Sequence, residues 1–297
     1  MDILNISSKE NTNLKILRKI KHDNKYLKDN NLFIVDDYLT FLEFIKNTKQ
    51  TNINYKILKI FTHSLELAEF IKSNVKDYHL DKDFKIYIIK KEILKDILKV
   101  DNIKVAALFK YNIKQNFISF ENMEFNKNKL NFVIVLDNIE NPGNLGTIFR
   151  NSLAFNFYDI ALVNLKTYVY NTLTFRASKG SLFYLNLYFI NDYPSFLDFI
   201  YKSINNISLI KNKVAFILAQ NDKNSLNINQ FNLISEFVKK YNLIFVVFGN
   251  EESGINNSLK KIIKDNFEYI NIRIDINIDS INVACANAIF NFVFSNI

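Results

Sequence analysis

The chain has 297 residues, enough for two ordinary domains or one large one, and 48% apolar against 23% charged residues is a balance that supports a buried core. No apolar run reaches the ~18 residues that a membrane span needs, and no basic-then-apolar N-terminal segment ends in a small-residue cleavage site. One cysteine, Cys285, excludes an internal disulfide framework, and with three histidines it argues against a zinc site, so a cytoplasmic, metal-independent protein of formal charge +8 is expected.

Helix and strand patterns alternate along the chain. Leu14, Leu17 and Ile20 recur every three residues, which predicts a helix. A short strand at 32–35, a helix at 38–45, strands at 55–61 and 84–89, helices at 65–71 and 93–98, and a strand at 105–109 complete a compact α/β unit. Residues 1–113 carry 21 basic and 15 acidic side chains, and the excess is concentrated in Lys15, Arg18, Lys19, Lys21, Lys25 and Lys28. Such a segment attracts a polyanion, nucleic acid being the commonest, although a solvated helix face would look the same. Residues 114–130, polar and rich in Asn and Lys, read as a linker.

Beyond the linker, 132–136 is a strongly apolar strand. A Pro-Gly loop, a helix from about 144 to 154 and a strand at 160–163 follow. That β-loop-α-β order implies a parallel sheet. Buried strands are expected at 214–218 and 243–248, and a last strand at 269–274. Ser280 is expected to cap a helix running to Phe294, buried and at a subunit interface.

Asn, Lys, Ile and Phe dominate, as a biased coding sequence would produce, so the rare residues are informative. All five glycines, Gly143, Gly146, Gly180, Gly249 and Gly254, lie after residue 142, with three of the four arginines, Arg150, Arg176 and Arg273. Glycine lets a backbone approach a ligand, and arginine offers a planar fork for phosphate or carboxylate. The clustering fits an anionic or nucleotide-like ligand; ordinary turns with scattered surface charge are the alternative.

Three loops leave the predicted strand ends. The first runs from Asp137 through Asn141, Pro142, Gly143, Asn144 and Gly146 to Arg150. The second is Gly249, Asn250, Glu251, Glu252, Ser253, Gly254. The third is Ser280, Ile281, Asn282, Val283, Ala284. Ligands of open α/β sheets bind at that edge. No P-loop lysine follows the glycines and the G-x-G-x-x-G spacing is missing, so a nucleotide triphosphatase and a dinucleotide fingerprint are both excluded.

In this order the loops resemble the motifs of the SpoU (TrmH-like) family of RNA ribose 2′-O-methyltransferases in the SPOUT class. The first resembles N-P-x-N-x-G-x-x-x-R, the second G-N-E-x-x-G, and the third S-L-N-V. Residues Arg176 to Gly180 resemble the family's R-A-S-x-G segment. Ile6-Ser7-Ser8 with Asn11 and the basic helix resemble its substrate-binding domain. The sequence departs from the family at Arg273 (usually Pro), Ile276 (Gly), Ala284 (Ser), Glu252 (Gly) and Asp36-Asp37 (Glu-Gly).

The resemblance implies an α/β fold with a trefoil-knotted, parallel-sheet methyltransferase domain in 131–297, preceded by a ribosomal-protein-like α/β domain in 1–113 that binds RNA. It implies S-adenosylmethionine as cofactor, held around Phe248, Gly249, Asn250, Gly254, Ile274 and Ile281. Arg150 is implied as the catalytic residue, with Asn144 and Glu251 orienting it and Ser280 and Asn282 holding the third loop and the ribose. Arginine stays protonated in water and is a poor base, so its role is electrostatic. The family pattern implies a homodimer acting on ribosomal RNA. A transfer RNA substrate, or an RNA-binding protein that has lost catalysis, are the alternatives.

Overall fold

The computed structural model describes residues 2–46, 55–74, 83–111, 130–206, 213–222, 224–275 and 280–297. Most of the expected linker at 114–130, and Ile276, lie outside them. The chain divides into two compact units, Met1–Asn116 with Tyr168–Tyr184, and Phe117–Thr167 with Leu185–Ile297.

The first unit contains β1 (Ile3–Ile6), α1 (Thr12–His22), α2 (Asn24–Asp29), β2 (Leu32–Val35), α3 (Tyr38–Lys46), β3 (Tyr55–Thr62), α4 (Leu65–Ser73), β4 (Lys85–Ile89), α5 (Lys91–Leu98) and β5 (Val105–Tyr111). The sheet order is β1-β4-β3-β5-β2, with β1, β4 and β3 parallel and β5 antiparallel to both β3 and β2. The sequence-predicted helix at 14–20 forms because Leu14, Leu17 and Ile20 share its buried face, and Asn11 caps it by accepting the Asn13 N–H at 2.9 Å.

The second unit opens with β6 (Asn131–Asp137), α6 (Pro142–Ala154) and β7 (Asp159–Val163). After α7 (Thr172–Ser178), which belongs to the first unit, come β8 (Asn186–Ile190), α8 (Tyr193–Asn206), β9 (Val214–Ala219), β10 (Leu226–Asn227), α9 (Phe231–Val238), β11 (Leu243–Phe248), α10 (Asn257–Asn266), β12 (Glu268–Arg273) and α11 (Val283–Phe294). The parallel sheet is ordered β10-β12-β9-β11-β6-β7-β8. Its central strand, β11, is wholly buried, as expected when both faces are covered, and Phe196, Phe216 and Phe245 fill one side. One expectation is corrected. Helix α11 is capped by Asn282, not Ser280, because the Asn282 carboxamide accepts the Ala284 and Cys285 N–H groups. Within the single chain the helix buries one face, and Cys285, Ile289 and Phe292 on the other are exposed.

The division differs from a boundary at 113 in one respect. Residues Tyr168–Tyr184, within the expected methyltransferase domain, pack into the first unit. Arg176 grips Asp36 with two prongs, Nε to Oδ1 at 2.9 Å and Nη2 to Oδ2 at 2.5 Å. Lys179 Nζ lies 3.0 Å from Asp37 Oδ1, and the Tyr168 hydroxyl donates to the Leu32 carbonyl at 2.6 Å. Phe33 stacks on Phe109 and packs at a tilt against Tyr170, Phe175 and Phe183 of this segment. The Asp36-Asp37 pair is therefore complementary to the Arg176–Lys179 segment.

The Asp36 side chain has no exposed surface and that of Arg176 is 32% exposed. Arg176→Ala would leave a buried carboxylate unpaired, which costs on the order of 3 kcal/mol at such a partly exposed pair. Urea unfolding of the variant is expected to show that loss. A loss under about 1 kcal/mol would mean that water replaces the guanidinium and that the pair does not anchor the segment.

Candidate active site

The register Phe248↔Leu136 sets the C-terminal ends of β11 and β6 side by side, so the loops leaving them are neighbours. Strand β9 ends on the other side of β11. A cavity of about 830 Å³ opens at this edge, walled by residues of the loops after β6, β9 and β11 and by the segment that enters α11.

Each loop is held by side chains that satisfy its neighbour's backbone. Asp137, buried at the end of β6, accepts the Asn256 N–H at 2.7 Å and the Tyr193 hydroxyl at 3.1 Å. Burial pushes its carboxyl above the ordinary carboxylate value despite these donors. Asn138 adopts φ +53°, a left-handed position where Asn stands in for Gly, and its carbonyl accepts the Asn250 carboxamide N–H at 2.9 Å. In the second loop Asn250 and Gly254 exchange two backbone hydrogen bonds of 3.0 Å. Gly249 permits this closure, since a Cβ there would lie 2.2 Å from the Gly254 carbonyl carbon and the Ile255 nitrogen.

Glu251 joins the first two loops. Its Oε1 accepts the Asn144 carboxamide at 2.9 Å and the Asn141 N–H at 3.3 Å, and Oε2 accepts the Glu140 N–H at 3.3 Å. Burial raises its carboxyl, but these donors outweigh burial and hold it below the ordinary value. Glu251 is therefore an ionised organiser whose acceptor sites are occupied, rather than a free base. Asn144 relays the contact, as its Oδ1 accepts the Asn282 carboxamide at 2.9 Å. Helices α6 and α11 are further tied by Asn151 Nδ2 to the Ala284 carbonyl at 2.9 Å.

Nine of the eleven sequence-derived candidates lie on the cavity wall: Asn144, Glu251, Ser280, Asn282, Phe248, Gly249, Asn250, Gly254 and Ile281. Arg150 and Ile274 do not. Arg150 is exposed on α6, without a hydrogen-bond or ion-pair partner among the described residues. The wall also includes Ala219, Gln220, Asn221 and Lys260, which sequence reasoning did not single out. The signal was present: β9 reads as a buried parallel strand, so the loop at its C-terminal end had to share this edge.

Residues 131–292 match the family described as the SpoU rRNA Methylase family. An uncharacterized tRNA/rRNA methyltransferase from Borreliella burgdorferi is 28% identical over 244 residues, which span 80% of this chain and 86% of that protein. Among solved structures, an rRNA methyltransferase from Sinorhizobium meliloti superposes with a TM-score of 0.73 at 19% identity, covering 99% of this chain and 97% of that one. That protein's structure is also known with AdoMet bound. The SpoU methyltransferase AviRb from Streptomyces viridochromogenes gives 0.72 at 14% identity, covering 96% and 97%. These likenesses establish a shared α/β fold built on a parallel sheet.

The geometry of Glu251 sets a pH-dependent test. Glu251→Gln keeps the shape but turns an N–H₂ towards at least one of three donors, which costs about 1–3 kcal/mol when such a group stays unsatisfied. A carboxyl with a lowered folded-state pKa stabilises fully above its unfolded value, near 4.5, and loses that contribution as pH falls through the folded value. Thermal unfolding of wild type and Glu251→Gln should therefore differ by a constant amount from pH 6 to 8, and the difference should shrink only as pH falls below about 4.5. A gap independent of pH would show that the charge of Glu251 is irrelevant to the loops.

Proposed function

The chain belongs to the SpoU rRNA methylase family and is an RNA methyltransferase, and from that premise we propose that it methylates a ribose 2′-hydroxyl of ribosomal RNA, with S-adenosylmethionine as methyl donor. The observation that carries the proposal is the Glu251–Asn144–Asn282 chain, which draws three loops around one cavity. The residues present fit the donor. A volume of about 830 Å³ is in the range of small-molecule sites, and the wall combines apolar Phe248, Ile255 and Ile281 with polar loop residues. Phe248, Gly249, Asn250, Gly254 and Ile281 would hold the nucleoside. S-adenosylmethionine supplies an electrophilic methyl group on a sulfonium.

What the chain must add is a positioned 2′-hydroxyl and stabilisation of the negative charge that develops on it. Asn144, fixed at both ends of its carboxamide, and Asn282 are assigned to position the ribose, with Ser280 on the third loop beside them. Arg150 is assigned to the RNA phosphate and the developing oxyanion. Arg150 is exposed and away from its own cavity, on a helix packed against α11, whose outer face carries Cys285, Ile289 and Phe292, the last 57% exposed. A homodimer that covers this apolar stripe, with Arg150 serving the partner's cavity, accounts for both features. The trefoil knot in 131–297 belongs to the same proposal, and residues 276–279 lie outside the described ones. Substrate-RNA binding is assigned to the first unit. No helix among the described residues is long and apolar enough to cross a membrane, and a cytoplasmic site of action is part of the proposal. Transfer RNA is the other substrate that mapping of 2′-O-methyl sites in cells with and without the protein would reveal.

Arg150 provides the direct test. Arg150→Ala is expected to lower methyl transfer ~10²–10³-fold at saturating S-adenosylmethionine, and Arg150→Lys nearly as much, because an ammonium lacks the two-pronged donor. Donor binding measured by calorimetry should be unchanged in both. Mixing Arg150→Ala with Asn144→Ala subunits should restore up to about a quarter of wild-type activity by random pairing, since one site per mixed dimer is intact. No restoration would place Arg150 in its own subunit's site, and monomers alone in light scattering would remove the dimer.

A further inference from the structure

The first unit holds a second cavity, of about 800 Å³, that the methyl-transfer site does not use. It lies where the start of α3, the loop from β3 into α4 and the loop leading into β5 meet. The two loops are tied together. Thr62 Oγ1 donates to the Lys104 carbonyl at 2.7 Å and accepts the Ser64 N–H at 3.1 Å, and His63 Nε2 lies 3.0 Å from the Ile103 carbonyl. Ser64 also caps α4 through the Leu67 N–H at 3.1 Å. The cavity is thus pre-formed by hydrogen bonds among its own walls.

Its lining has two characters. Leu42, Leu67 and Ile103 make an apolar floor. The half-buried Tyr38 belongs to the same wall, and the Lys104 ammonium lies over one face of its ring, 4.7 Å from the centroid. Lys91 is the second cation on the wall and Glu66 the carboxylate. A ligand that suits an apolar slot, an aromatic face and two cations together has a flat apolar part bonded to an anion, and a nucleotide is built that way. Bases within a helix are stacked and paired, so only an unpaired one can enter a slot of this kind.

We propose that this cavity binds an unpaired nucleotide of the RNA substrate, its base stacked on Tyr38 over the Leu42–Leu67–Ile103 floor and its phosphates facing Lys104 and Lys91. The proposal rests on the chain's action on RNA, and it goes beyond the general basic character of the first unit by naming one site and one structural state of the RNA. It also accounts for a cation held at the Tyr38 ring, where it can meet a phosphate flanking a stacked base.

The test measures binding of full-length protein to a fluorescent 12-nucleotide single-stranded RNA and to a 12-base-pair duplex over a salt series. Tyr38→Ala is expected to weaken single-strand binding about 5- to 150-fold, the loss of one base–aromatic stack, and to leave duplex binding nearly unchanged. Tyr38→Phe should retain single-strand affinity. Lys104→Ala should lower the slope of log affinity against log salt by about one phosphate's worth. All three variants should bind S-adenosylmethionine and melt like the wild type, which separates loss of the pocket from loss of the fold. An unchanged single-strand-to-duplex ratio in Tyr38→Ala overturns the proposal. So does equal loss in Tyr38→Phe, which would assign the effect to the hydroxyl. No methyl transfer is measured, so failure of the assigned 2′-hydroxyl chemistry would leave this result standing and recognisable.

Discussion

Irregular backbone at the end of a buried sheet has no ladder to satisfy it, and each unpaired N–H or C=O there is costly. At the carboxyl edge of this parallel sheet the loops answer that constraint for one another. Asp137 at the end of β6 satisfies the backbone entering α10; Asn250 satisfies the backbone after β6; Glu251 satisfies two further N–H groups of the same loop. The arrangement works only because β11 pairs with β6 in the register that aligns Phe248 with Leu136. A slip of one residue would turn Asp137 to the other face of the sheet and separate every one of these partners.

The first unit applies the same economy with charge. Asp36 is buried and its carboxylate is paired by Arg176 across 140 positions of sequence. Asp37 caps α3 through the Thr40 N–H and hydroxyl and meets Lys179. Burial raises the Asp37 carboxyl, but the Thr40 and Lys179 contacts prevail and hold it below its ordinary value. The chain thus commits a segment taken from between β7 and β8 to the first unit, with acids and bases in matching order.

Much of the sheet was legible because its strands are apolar runs bounded by polar loops, and 243–248 appears where the pattern places it. Nine residues of the cavity wall were legible through the resemblance of three loops to family motifs, and the scarce Gly249 and Gly254 among them mark backbone requirements. What the pattern hid has a physical cause. Asparagine does the work that turn glycines and serine caps do in other chains. It occupies left-handed positions at Asn31, Asn138, Asn156 and Asn164, and it caps α1, α6, α7, α10 and α11. In a chain rich in Asn throughout, these boundaries look like any other polar stretch, which is why the cap of α11 was placed at Ser280 instead of Asn282. The docking of 168–184 was hidden for a different reason: it depends on ion pairs and ring stacking between segments distant in sequence, which no local periodicity records.

The two arginines best placed for comparison show what residue rarity signals and what it does not. In a lysine-rich chain a simple need for positive charge is met by lysine, so arginine persists where its planar fork is used. Arg176 shows the principle satisfied within the protein, with Nε and Nη2 each on a separate oxygen of Asp36. Its role is to hold structure, although its motif is as conspicuous as that of Arg150. Arg150 is the converse, an exposed guanidinium with no hydrogen-bond or ion-pair partner among the described residues. If fork geometry is the reason for retaining it, the partner that uses the fork lies outside this chain's described structure. An RNA phosphate at a site completed by a second copy, as proposed above, would meet that requirement.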